Sequence, residues 1–172
     1  PRTDARVLST AVAKEIHKNI GGLRNYTLAA PFAKEVLEQG TYKNIAKTRY
    51  VNDKQITDHY AIIPTGQGLN NLAGLAPTAA KVYEVIVRRF LSIFYPPAVY
   101  QKFSLTLQVK EESFFASFKV LIQEGYLKVT NFSFKKENTA LKEDKENENE
   151  SADEKCDAEL TNLLMHLKKG DT

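Results

Sequence analysis

Two short runs hold the residues best suited to chemistry. The first is Pro1-Arg2-Thr3-Asp4-Ala5-Arg6; the second, far along the chain, is Asp58-His59-Tyr60-Ala61-Ile62-Ile63-Pro64-Thr65. A guanidinium such as that of Arg2 stays charged and offers a planar fork of donors that fits phosphate oxygens. Thr3 can donate a hydroxyl hydrogen bond, and His59 can donate one to phosphate. Asp4 repels phosphate, so its use is indirect: it either holds Arg2 or a neighbouring backbone group, or simply caps a helix. Arg6 lies one turn from Arg2 only if a helix begins very early. Tyr60 is the best of the tyrosines for stacking on a nucleobase. Taken singly, each run is a short motif with a high false-positive risk. Together they describe phosphate-handling chemistry.

The elements that must position these runs are mostly helical. Val7, Leu8, Ala11, Val12, Glu15 and Ile16 give near-helical spacing with one polar exception, predicting a helix from Val7 to about Ile20 that stops at Gly21-Gly22. Pro31 suits the first turn of a second helix, with Phe32, Val36 and Leu37 inward and Gly40 as its stop. A helical turn is expected around Tyr42 to Ala46. Two helices on a short Gly-containing link have the outline of a helix-turn-helix. Residues 50–65 read as irregular or extended, and Gly66, Gly68, Asn70, Asn71 and Gly74 mark a loop. Pro77 opens the longest helix, Thr78 to about Phe94, with Val82, Val85, Ile86, Arg89 and Phe90 on one side. Pro96-Pro97 ends it.

The period then changes to two. Phe103, Leu105, Leu107 and Val109 alternate with polar residues, and Phe114, Ala116, Phe118, Val120 and Ile122 repeat the pattern. Gly125 turns the chain into a third strand near Leu127 to Phe134. This predicts an antiparallel sheet with one face covered, and an α+β fold. The expected divisions are a helical domain over 1–97, strands over 98–134, a flexible acidic insertion over 135–158 and a further segment over 159–172. In the last of these, Leu160, Leu163, Leu164 and Leu167 suggest an amphipathic helix.

Charge is divided along the chain. Residues 1–136 hold 19 Lys and Arg against 10 Asp and Glu, whereas residues 137–159 hold 10 acidic residues and 3 lysines. The basic front half suits nucleic acid, and the acidic stretch suits solvation more than DNA mimicry. A single cysteine, Cys156, excludes an internal disulfide and suits a reducing cytoplasm. No apolar run is long enough to cross a membrane. The sequence contains no Walker-type loop for ATP and no Cys/His cluster for zinc.

The two runs, followed by Lys81-Val82-Tyr83, Arg88-Arg89-Phe90, Tyr95-Pro96-Pro97 and Gly125-Tyr126-Leu127-Lys128-Val129, resemble in order and separation the type IA DNA topoisomerases, most closely the bacterial topoisomerase III group. The resemblance covers nearly the whole chain and is weakest in the acidic stretch. It implies a catabolite-activator-like helical active-site domain followed by antiparallel strands of an arch. It implies a tyrosine nucleophile directly before Pro1, so that this chain is a piece of a longer enzyme that lacks it. Arg2 and His59 then fall beside the scissile phosphate as catalytic residues, with Thr3, Asp4, Arg6 and Tyr60 positioning DNA. Many members carry a second histidine where this chain has Tyr60. Magnesium is bound, in the family, by a separate N-terminal domain, and no metal ligand is expected here.

The expected activity of the parent is therefore ATP-independent cleavage and religation of single-stranded DNA through a 5′-phosphotyrosine, in the cytoplasm. The expected partners are single-stranded DNA and the remaining domains of that enzyme, with no membrane. The alternative is a non-enzymatic, winged-helix-like module that reads duplex DNA through base contacts. A third reading is a structural protein whose basic face meets an acidic partner. Preference for single strand, for duplex, or for neither separates the three.

Overall fold

The computed structural model of the protein describes residues 2–134 and residue 166. The expected acidic insertion and the leucine-striped segment after it lie outside the described residues. Among the described residues, three helices, four short 3-10 segments and one antiparallel ribbon form the regular structure. They fall into two units, one of residues up to 97 together with 125–134, the other of 98–124.

Helix α1 spans Thr10–Leu23, with the Ser9 hydroxyl accepting from the Val12 amide as its cap. It begins later than the spacing suggested, because residues 7–8 pair with other segments instead. It also runs through Gly21 and Gly22 rather than stopping there. Its buried residues are Ala13, Ile16, Ile20 and Leu23. The inward stripe is thus displaced from the one expected, and Ala11 and Glu15 face elsewhere.

Helix α2, Ala30–Gln39, carries Pro31 in its first turn and ends at Gly40, whose φ of 66° is the left-handed conformation glycine tolerates best. A 3-10 segment, Thr41–Lys47, follows. Helix α3 spans Pro77–Ser92. Its interior face overlaps only in part with the one the apolar spacing picks out: Phe90 is buried as expected and Ile86 is half-buried. Glu84, Val87, Arg88 and Leu91 are buried, whereas Val82, Val85 and Arg89 are exposed. The cause is an interior ion pair that a hydrophobic count places outside. The Arg88 Nε donates to Glu84 Oε1 at 2.7 Å, and Arg88 Nη1 donates to the Val129 carbonyl at 3.1 Å. The Ser133 amide and hydroxyl close on the same carboxylate.

One apolar cluster joins the helices: Ile16, Ile20 and Leu23 of α1, Ala33 and Val36 of α2, Ile45, then Val87, Phe90 and Leu91 of α3, with Val129 against them. Val129 belongs to a 3-10 segment, Gly125–Val129, where a third strand was expected. The stretch from Leu127 to Phe134 is no strand. Its carbonyl at Val129 and its groups at Ser133 are spent on Arg88 and Glu84, which leaves no ladder to form.

The second unit is a ribbon of two strands, β1 (Val99–Val109) and β2 (Glu112–Gln123). Phe103 pairs with Phe118, Leu105 with Ala116 and Leu107 with Phe114 on one face. The period of two is as the alternation predicts, and the Phe103 and Phe118 rings stack 5.3 Å apart. Among the described residues no third strand joins, and in place of the expected covered sheet stands a ribbon with Leu107, Val109 and Phe114 more than half exposed.

Candidate functional site

The polypeptide on either side of the first run is fixed from two directions. The Leu8 amide donates to the Tyr50 carbonyl at 2.8 Å, and the Asn52 amide donates to the Leu8 carbonyl at 3.0 Å, forming a parallel bridge between Leu8 and Val51. On the other side the Ala61 amide donates to the Val7 carbonyl at 2.9 Å. Asp53 accepts from both the amide and the hydroxyl of Thr10, at 2.8 and 2.6 Å, and these two bonds hold its carboxyl below the usual range. The start of α1 is therefore pinned to the segment after residue 50.

The second run lies along the same helix. Asn19 Nδ2 donates to the Pro64 carbonyl at 2.8 Å. At Gly22 a β-carbon would stand only 2.2 Å from the Gly66 carbonyl oxygen. This close approach of two backbones explains why α1 tolerates glycine inside its last turn. With Ala61 held to Val7 at one end and Gly66 against Gly22 at the other, residues 61–66 are laid down along one stripe of α1.

The result is an open groove of about 690 Å³, in the size range of ligand sites. Arg2, Thr3, Asp58, His59 and Tyr60 line it together with Ala11, Val12, Glu15 and Asn19 of α1 and with Ala61, Ile62 and Ile63. A smaller recess of about 370 Å³ adjoins it, lined by Arg2, Thr3, Asp4, Thr57, Asp58 and His59. The two motifs, far apart in sequence, thus share one cavity.

Arg2, Asp4, Arg6, His59 and Tyr60 are all exposed, and Thr3 is half-buried. The Thr3 hydroxyl accepts from the Ala5 amide at 3.1 Å, which leaves its proton available. Among the described residues no hydrogen bond or ion pair joins Asp4 to Arg2, and Asp4 does not cap α1, since Ser9 does. The helix also begins too late for Arg2 and Arg6 to lie one turn apart on it. Arg6 does not line either cavity, so it stands apart from the other five positions.

The motif reading missed Glu15, Asn19, Thr57 and Asp58 as groove residues. Glu15 was visible only as a polar interruption of an apolar stripe, and Asn19 carried no signal. Glu15 pairs with Lys18, whose hydrogen bond and charge hold the Glu15 carboxyl below its usual range. Among the described residues no group of three or more His, Cys, Asp or Glu is arranged to hold a metal ion. Asp4 and Asp58 share their recess with Arg2 and His59, so its two carboxylates stand beside a fixed guanidinium charge.

A sequence model of the DNA topoisomerase family matches residues 1–169. DNA topoisomerase 3 from a Bacillus cereus strain is 31% identical over an alignment of 174 residues that covers 100% of this chain and 21% of the relative. DNA topoisomerase 3 from Bacillus licheniformis and from Bacillus subtilis are each 30% identical over 172 residues, covering 100% of this chain and 20% and 21% of the relatives. The chain thus spans about a fifth of the length of the curated relatives it matches.

Proposed function

The chain belongs to the DNA topoisomerase family, and on that premise we propose that its groove is the phosphate-holding part of a type IA strand-cleavage site. In the proposed reaction a tyrosine oxygen, at the family position just before Pro1, attacks a backbone phosphorus. A phosphotyrosine forms at the 5′ phosphate, the bond to the 3′ oxygen breaks, and that oxygen takes a proton. The reverse step reseals the strand after another has passed. Bond energy is stored in the phosphotyrosine, so ATP is not needed.

The groove supports distinct roles for the residues here. Arg2 neutralises charge on the phosphate undergoing attack, where a preorganised cation is most useful. His59 donates to a phosphate oxygen, and Thr3 offers its hydroxyl proton. Tyr60 stacks on an adjacent base. Asp4 orders the approach to the site, and Arg6 contacts the DNA backbone outside the groove. Magnesium belongs to another part of the longer protein, and no step is assigned to it here. By the same resemblance the helical unit is a catabolite-activator-type domain and the ribbon part of the arch. The parent relaxes or decatenates DNA in the cytoplasm; residues 1–172 alone leave supercoiled DNA unrelaxed.

One observation carries the reading: Arg2 and His59 line a single cavity. Fluorescence anisotropy with a labelled single strand and its duplex, at two salt concentrations, tests it. Tighter single-strand binding, weakened by salt and by Arg2→Ala and His59→Ala, is expected. Duplex preference, or indifference to both substitutions, would transfer support to a duplex-reading module.

A further inference from the structure

Resting on that phosphate reading, we infer that the α1 half of the groove is a nucleobase subsite that accepts amino-bearing bases in preference to thymine. Its apolar lining includes Ala11, Val12 and Ile62, and Ile62 is 43% exposed, open to a base that enters the groove. Its α1 wall carries Glu15 and, one turn on, Asn19. These two set the hydrogen-bonding character of that wall.

Asn19 is oriented by its bond from Nδ2 to the Pro64 carbonyl, which leaves Oδ1 as its uncommitted acceptor. Ionised, Glu15 can only accept, and its ion pair with Lys18 favours that form. A carboxylate beside a DNA backbone is repelled by phosphate. It is tolerated where it meets a base edge rich in donors. Cytosine, adenine and guanine each present an exocyclic amine, whereas the edge of thymine offers one N3–H donor flanked by two carbonyl acceptors. Thymine's two carbonyls would therefore face acceptors across the groove. Arg2 and His59 line the same cavity, so phosphate and base are held by parts of one surface.

The test uses the 172-residue chain and fluorescence anisotropy on a labelled oligothymidine. One adenine, cytosine or guanine is placed at each position in turn. One register is expected in which the substituted strand binds about ten-fold tighter than oligothymidine. Glu15→Ala should flatten that preference without lowering affinity for oligothymidine, and circular dichroism should show the helices intact. Arg2→Ala should weaken all strands alike and keep the preference. Equal binding of every strand, with Arg2→Ala still weakening all, would overturn the subsite and leave the phosphate reading standing. A preference that survives Glu15→Ala would overturn the assignment to α1. Loss of the Arg2 effect as well would remove both readings.

Discussion

Glu84 has 2% of its surface exposed, and Arg88 has 7%. Burial pushes the Glu84 carboxyl up, but hydrogen bonds from the Ser133 hydroxyl and amide, then from Arg88, leave it below its ordinary value. Removing one partner of such a pair strands the other, at a cost of about 3–5 kcal/mol. Arg88→Met should therefore lower the urea midpoint sharply, measured by circular dichroism, while Arg89→Met, exposed one residue on, should change it little. Glu35 is also held below its ordinary value of 4.5, chiefly by the Lys128 ammonium 2.7 Å away and also by the Tyr95 hydroxyl. For both carboxyls the unfolded chain binds more protons near pH 4.5. Their contribution is thus complete above that value and lost as pH falls below it. Tyr95 is shifted the other way: burial, then its bond to Glu35, raises it above the ordinary 10.0. Its stabilising effect is present below pH 10 and is lost as pH rises beyond it. Chemical denaturation across pH should show both flanks, and Tyr95→Phe should reduce the alkaline one.

At the scale of elements, α1 does two jobs with two faces. Ile16, Ile20 and Leu23 build the core, while Ala11, Glu15, Asn19 and Gly22 receive the segment that carries His59. The adjacent glycines separate these jobs. A β-carbon at Gly21 meets nothing within 4 Å, whereas one at Gly22 collides with the Gly66 backbone. Gly21→Ala should raise thermal stability by about 0.5–1 kcal/mol, through helix propensity and a less free unfolded chain. Gly22→Ala gains the same propensity but must push the 61–66 segment away. It should lower the melting temperature and weaken single-strand binding together. Calorimetry and anisotropy on the two variants would check the contrast; equal behaviour would mean that the segment is not seated on the helix.

At the scale of the whole molecule, the ribbon interrupts the helical unit in sequence. The helical unit closes behind it: the Tyr126 amide donates to the Pro96 carbonyl at 2.9 Å, and Gly125, with φ of 51°, sits where a β-carbon would be 2.5 Å from the Pro96 and Pro97 carbonyl oxygens. The ribbon is therefore an insertion with a fastened base. Its outer residues Leu107 and Phe114 are 62% and 57% exposed. Replacing both with threonine should leave the thermal midpoint of the helical unit within about 0.5 kcal/mol of the original. Ile20→Ala, fully buried in the helical core, should cost about 2–5 kcal/mol. A large loss from the ribbon pair would show that its apolar face is covered after all.

Local chemistry made much of this legible in the sequence. Pro31 and Gly40 bracket α2, Pro77 opens α3, and the period of two places Phe103 and Phe118 on one ribbon face, because these signals act within a few residues of where they are written. Arg2 and His59 could be singled out as candidate phosphate ligands from their side-chain chemistry and motif order, and the structure places both in one cavity. Tertiary structure decided the rest. It buried Glu84 and Arg88 beside the expected Phe90 and left Val82 and Val85 exposed, since the contacts of that ion pair with Ser133 and Val129 satisfy its charges only in three dimensions. It carried α1 through Gly21-Gly22, because the need there is the backbone of Gly66, distant in sequence. And it brought Arg2 and His59 into one groove with Glu15 and Asn19, which follows from hydrogen bonds at Val7, Leu8 and Asn19 that no local pattern encodes.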